Sequence, residues 1–163
     1  MANKDVLFFK SGLETGIPLI DKQHTNLIVL SNNLYSACKQ NTENLNNYIK
    51  SSLHELVEYS RYHFSTEEKM MLMIDYPKYQ EHKKTHEDFV WEARHISKER
   101  EDKNNHAAKQ FVLFLCDWVN DHIGEHDKLL AKYCAYMRHH KDIKLILSYE
   151  AQTPNKDTYC FNK

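Results

Sequence analysis

Ser60-Arg61-Tyr62-His63-Phe64-Ser65-Thr66-Glu67-Glu68-Lys69-Met70-Met71 decides the fold of this chain. Ser60, His63, Glu67, Met70 and then Ile74 follow one another at steps of three and four, which places them on one face of an α-helix. Traced backward, the same face takes Leu56, Leu53 and Ile49. The spacing predicts a helix over roughly 43–73, with Thr42 as N-cap and Asp75-Tyr76-Pro77 as the stop. The face that must be buried carries an imidazole and a carboxylate four residues apart.

Three further stretches share this pattern. An irregular arm closes on Gly16, and Pro18 suits the first turn of a helix over 18–39, with the seam Ile20, His24, Leu27, Ser31, Leu34 and Cys38. Beyond the stop, 78–101 carries Tyr79, His82, His86, Phe89, Ala93 and Ile96. A polar loop from Glu101 to Asn105 follows, and then 106–136 with Phe111, Leu115, Trp118, His122 and Leu129. Four helices on short loops predict an all-α, up-down-up-down four-helix bundle. Asp142 to Tyr149 reads as a short extra C-terminal helix before a polar tail. We divide the chain into a bundle with its arm, 1–137, and an extension, 138–163.

Composition agrees. Of 163 residues only three are Gly and three Pro, too few for a hairpin-rich fold. The formal net charge of -1, from 22 basic and 23 acidic residues, gives no basic patch for nucleic acid and no polybasic tail for a membrane. No apolar run reaches the ~20 residues that span a bilayer. The opening MANKDVLFFK lacks a secretory h-region, so a cytoplasmic protein is expected. Cys38, Cys116, Cys134 and Cys160 form no CxxC pair and are expected as free thiols, the first two as buried apolar side chains.

Each seam thus holds at least one inward polar group. His24 lies on the first, His63 and Glu67 on the second, His82 and His86 on the third, His122 on the fourth. A buried polar group without a partner costs on the order of 1–3 kcal/mol, and one such residue on every helix is hard to tolerate without a metal ion. Imidazole nitrogen with carboxylate oxygen, and no thiolate, suits iron better than a structural zinc site. Other histidines serve as controls. His54 lies nine residues before His63, a rotation of roughly 180°, and points outward. His95 falls between seam positions, His106 at a helix start, and His139 and His140 beyond the bundle. Asp127 follows His122 by five residues, roughly 140° off on a regular helix, whereas His126 is the better match at four. A π-type bulge around Gly124 would bring Asp127, and not His126, onto the face of His122.

Gly16-Ile17, Ile20-Asp21-Lys22-Gln23-His24, HFSTEEKMM, HKKTH and DWVNDHIGEHD together closely resemble bacterial hemerythrins, over roughly Phe9 to Tyr133. Phe9 stands where that family usually has Trp, and the segment after Met137 has no counterpart in the basic fold. Carried over position by position, the resemblance implies two Fe ions (Fe2+/Fe3+) with an oxo or hydroxo bridge. His82, His86 and His122 would hold one, His24 and His63 the other, and Glu67 and Asp127 would bridge them. Of about twelve positions on two octahedral ions, these groups fill about eleven, leaving one open on the His24/His63 side. The resemblance implies dioxygen there, for storage, delivery or sensing. Leu27, Ile28, Phe64, Trp118, Val119 and Ile123 are the expected apolar neighbours of the open position.

Rival readings differ in testable ways. A ferritin-like oxidase needs two Glu-x-x-His motifs, and the single match, Glu92/His95, lies off the seam. An enzyme reducing peroxide or nitric oxide would keep the same site, with His126 as a local proton source. A sensor would need an output partner, which the extension after Met137 is placed to dock. A metal-free helical adaptor leaves the inward histidines unexplained.

Overall fold

The computed structural model describes residues 12–39, 45–98 and 106–140. They form α1 (Pro18–Lys39), α2 (Leu45–Met73), α3 (Tyr79–Lys98), α4 (His106–Asp121), a π-helical segment (His122–Asp127) and α5 (Lys128–His140). The last three are one continuous rod. α1 packs on α2 and α4, and α3 on α2 and α4, which closes the ring of the expected all-α four-helix bundle. The rod runs to His140, past the expected end at 136 and the division at 137. Thr42, Phe9, Cys160 and the expected helix over 142–149 lie outside the described residues.

Local chemistry sets the helix ends. Gly16 adopts φ 77° just ahead of α1, a conformation that glycine reaches without steric cost. The Asp21 carboxylate then accepts from the Thr15 hydroxyl and backbone N–H at 2.7 Å each and from the Gly16 N–H at 3.0 Å. It thereby satisfies donors ahead of the helix and sets a negative charge in its first turn. At the other end of α2, Asp75 takes φ 52°. The Tyr76 N–H bonds to the Met71 carbonyl at 2.9 Å and the Asp75 N–H to Leu72 at 3.4 Å, the two bonds of a Schellman stop. The Asp-Tyr-Pro break therefore ends the helix through a left-handed residue as well as through proline.

Burial follows the predicted seams closely. All six residues of the α1 seam are buried, as are Leu53, Leu56, Ser60, His63, Glu67, Met70 and Ile74. Ser31 and Ser60 are accommodated by donating to the carbonyls of Leu27 and Leu56, one turn back. Tyr79 and Trp118 are half-buried, the side chains of Ile49 and Ile96 lie outside the described residues, and Leu129 departs furthest from its seam, being 42 % exposed while Leu130 is 1 % exposed. The π segment inserts one residue into the rod, so every inward position after it moves on by one.

The apolar core is in two parts. One cluster takes Leu27, Leu34, Leu56, Phe64, Phe89, Phe111, Leu115 and Val119, among others. The second takes Ile17, Ile20, Met70, Met71, Ile74, Tyr76, Leu130 and Cys134. Along each rod the buried histidines and carboxylates fall between residues of the two clusters, as a polar layer across the bundle. Cys38, Cys116 and Cys134 are buried and form no disulfide with one another. None of the described helices is long and apolar enough to cross a membrane.

Candidate metal centre

The polar layer is built by all four rods. α1 supplies His24, α2 His63 and Glu67, α3 His82 and His86, and the π segment His122 and Asp127, each at most 4 % exposed. In the π segment the Lys128 N–H reaches the carbonyl of Ile123, five residues back. That pitch turns Asp127 onto the face of His122 and leaves His126 half-buried beside it.

The donors gather into two groups that share Glu67. One is Glu67, His82, His86 and His122; the other is His24, His63, Glu67 and Asp127; within each, all donor atoms lie within 4.8 Å of one another. The carboxylates face both ways. Glu67 sets Oε1 3.7 Å from His63 Nε2, and Oε2 3.4 Å from His82 Nε2 and 3.2 Å from His86 Nε2. Asp127 sets Oδ2 3.1 Å from His24 Nε2, and Oδ1 3.2 Å from His82 Nε2 and 3.1 Å from His122 Nε2. Each acid thus gives one oxygen to each side, the arrangement of a bridge.

These atoms approach one another without satisfying one another. Both nitrogens of His24, Nδ1 of His82, and all four oxygens of Glu67 and Asp127 are buried without a hydrogen-bond partner. His122 Nε2 lies 3.2 Å from Nε2 of both His82 and His86. Donors held ~2.1 Å from one octahedral ion are ~3.0 Å apart along an edge, close to the spacings seen here. Buried acceptors aimed at common points, at ligand-edge separations, fit metal ions and are otherwise costly.

Neighbouring side chains select which ring nitrogen faces inward. Gln23 donates to the Thr66 hydroxyl at 3.2 Å, so its carbonyl oxygen takes the His63 Nδ1–H at 3.0 Å. Thr85 donates to the His82 carbonyl at 2.7 Å and so accepts from His122 Nδ1 at 3.2 Å. Glu68 accepts from His86 Nδ1 at 3.1 Å. In all three rings Nε2 is left bare toward the centre, the outer-shell arrangement typical of histidine ligands. Nothing in the sequence marks Gln23, Thr85 and Glu68 for this role. Each lies next to a ligand position, and only the packing of a neighbouring residue reveals its partner.

Charge is unevenly held. Burial pushes His63 down to about 3, against the pull of Glu67. Burial also opposes charge on His82, but Asp127 and Glu67 outweigh it and hold its pKa up to about 9. Burial pushes both carboxylates up, and Asp127 adds to the push on Glu67, yet the surrounding imidazoles win and keep Glu67 and Asp127 below the usual carboxylate range. Both acids therefore remain anionic, as ligands must.

The structure divides the six expected pocket residues. Leu27, Phe64, Val119 and Ile123 are buried, and Ile28 and Trp118 are half-buried. Phe64 stacks on His86 at 4.1 Å and 8°, and Trp118 on His122 at 4.1 Å and 13°. Both rings cover the three-histidine group, although Phe64 also approaches His63 at 5.7 Å. Ile28 instead lines an open pocket of about 250 Å³ with Gly12, Leu13, Glu14, His24 and Thr25, on the two-histidine side. Among the control histidines, His54 and His95 are exposed, and His95 stacks on Trp91. The side chains of His106, His139 and His140 lie outside the described residues.

Comparison with known proteins gives the same picture. Residues 15–134 match the family profile described as Hemerythrin HHE cation binding domain. The chain is 31% identical over 123 residues to the bacteriohemerythrin of Clostridium acetobutylicum, covering 74% of this chain and 95% of that one. It is 32% identical over 135 residues to the bacteriohemerythrin of Pseudomonas aeruginosa strain LESB58, covering 82% of each. The bacteriohemerythrin of Stenotrophomonas maltophilia is 28% identical over 126 residues, covering 77% of this chain and 80% of that one. No solved structure matches the chain significantly. A profile match along most of the bundle, with two clusters of buried histidine and carboxylate at its middle, places this chain in the hemerythrin family.

Proposed function

We propose that this chain binds dioxygen reversibly at a non-haem di-iron centre, for storage, delivery or sensing. The observation that carries the reading is the asymmetry of the site. Three imidazoles stand on one side and two on the other, with Glu67 and Asp127 facing both. Equal coordination numbers then leave one position free on the side of His24 and His63. Two iron ions held there would supply the two electrons that dioxygen takes up on binding, and recover them on release.

The protein's own residues meet the remaining needs. Glu67 and Asp127 supply two negative charges that hold paired cations together. Gln23, Thr85 and Glu68 fix three rings with their bare nitrogens inward. Phe64, Trp118, Val119 and Ile123 keep water from the layer, and a dry site protects a reversible adduct from stray protons.

His126 favours a second reading, in which the site reduces peroxide or nitric oxide. Its half-buried ring stacks against His122 at 5.3 Å and approaches His82 at 5.7 Å, a suitable place for a proton donor. Loading the purified chain with ferrous iron without oxygen, then cycling oxygen in and out, separates the two. A spectrum that appears and reverses over many cycles supports carriage; irreversible oxidation on the first exposure, or sustained turnover of peroxide or nitric oxide with a reductant, overturns it.

A further inference from the structure

A file of tyrosines leads from the polar layer to the surface where α2 turns into α3. Tyr76 is 6 % exposed, and its ring lies 6.4 Å from that of His82. Tyr133 follows 5.3 Å from Tyr76, and Tyr136, which is 56 % exposed, follows 6.3 Å from Tyr133. These are centroid separations within the range of interacting aromatic pairs, so successive rings are close neighbours. The backbone holds the file in place. The Schellman stop fixes Tyr76 through its N–H, and the Tyr133 hydroxyl donates to the Asp75 carbonyl at 3.4 Å.

Reversible oxygen binding makes no use of these rings. Phenols are among the few side chains that give up a single electron under biological conditions, and here three stand in series. They pass through the cluster that holds Met70, Met71 and Cys134, whose sulfurs are readily oxidised. On the opposite side, Trp118 stacks on His122, packs on Phe89 at 4.5 Å and Phe64 at 5.4 Å, and borders an open pocket beside Trp91, so it is the competing route that the test must separate.

We propose that Tyr76, Tyr133 and Tyr136 form a relay that carries oxidising equivalents from the His82 side of the metal centre to the surface, sparing ligand histidines and buried sulfurs. The proposal rests on the second reading given above, in which the site reduces peroxide. The oxidant is hydrogen peroxide, which forms when dioxygen leaves with both electrons. Its reduction to two waters takes two electrons and two protons. Each electron comes from Tyr136 by way of Tyr133 and Tyr76. As it leaves, the Tyr136 O–H bond breaks, its proton passes to solvent, and a neutral tyrosyl radical remains. A one-electron reductant in solution, such as ascorbate, restores the phenol with one electron and one proton, and a second passage completes the reaction. Without a reductant, Tyr136 radicals on two molecules couple through a new carbon–carbon bond, the two ring hydrogens move to the oxygens so that both phenols re-form, and these phenols supply the second electron, with the protons for water drawn from solvent.

The test treats the iron-loaded full chain with hydrogen peroxide, without added reductant. Radicals are read by electron paramagnetic resonance and modified residues by mass spectrometry. We expect a tyrosyl signal and dityrosine at Tyr136, with little at Tyr48, which is similarly exposed at 53 % but lies off the file. Both signals should be lost in Tyr76→Phe and in Tyr133→Phe, with sulfoxide rising at Met70 and Met71 and the melting temperature little changed. Equal modification of Tyr48 and Tyr136, an undiminished signal in Tyr76→Phe, or a tryptophanyl signal in place of the tyrosyl one overturns the relay. Peroxide consumed without any protein radical overturns the relay alone; peroxide left unconsumed by the iron-loaded chain overturns the peroxide-reducing reading with it.

Discussion

An imidazole serves a metal only through a bare ring nitrogen, and at His63, His86 and His122 a neighbour decides which nitrogen is bare. Glu68 is half-buried, at 24% side-chain exposure. Glu68→Ala should weaken metal binding about 10–100-fold, read by competition with a chelator, while Glu68→Gln, which still presents a carbonyl oxygen to the ring, should retain most of the affinity. Protons compete at His82. With its pKa held up to about 9 in the metal-free protein, this ring is charged at pH 7.5 and must discharge before it can ligate. Metal uptake at that pH should therefore acidify a weakly buffered solution, and affinity should rise with pH until about 9. Uptake with no proton release would show that His82 enters neutral. The seven candidate ligands were legible because each interrupts, or in the case of Asp127 nearly joins, an apolar seam. Gln23, Thr85 and Glu68 were not, because a one-dimensional period says what faces inward and not what faces a particular neighbour.

At the scale of the element, the π segment is the decisive irregularity. Its presence followed from a chemical demand, since an acid was needed five residues after His122. Its effect downstream was harder to read, because the regular count assigned Leu129 to the core and the structure buries Leu130. A local change of pitch propagates as a change of register through the rest of a rigid helix. Gly124 sits inside this segment with no atom within 4 Å of where a Cβ would stand, and its φ is not positive. The glycine there provides compliance, and neither space nor a special dihedral. Gly124→Ala should stabilise the metal-free protein by about 0.5–1 kcal/mol, measured by thermal or urea unfolding. A loss of stability would mean that the π pitch itself depends on glycine's freedom. The ends of α2 give a milder lesson. Asp-Tyr-Pro reads correctly as a stop, but the left-handed Asp75 that executes it carries no glycine to announce it.

Across the whole molecule, the bundle is two apolar clusters separated by a layer of imidazoles and carboxylates. The four-rod architecture was legible because the chain is poor in glycine and proline and its seams keep step. The separation was not, because continuous seams conceal where along them the apolar residues give way. Seven buried oxygen and nitrogen atoms in that layer have no hydrogen-bond partner, so ions bound there stabilise the folded state directly. Each ion present at a hundred times its Kd adds ~2.7 kcal/mol. At ~2–4 °C per kcal/mol for a chain of this size, stripping both ions should lower the melting temperature by at least ~10 °C. Calorimetry before and after chelation checks this, and an unchanged midpoint would mean that the layer is stable on its own.

The polar layer has a consequence beyond chemistry. Newly made chains that find no ions stay loose at the waist and open more often to proteases. Scarcity of the metal would then thin the population without any repressor or signal, and the amount of this protein in a cell would itself record the metal ration.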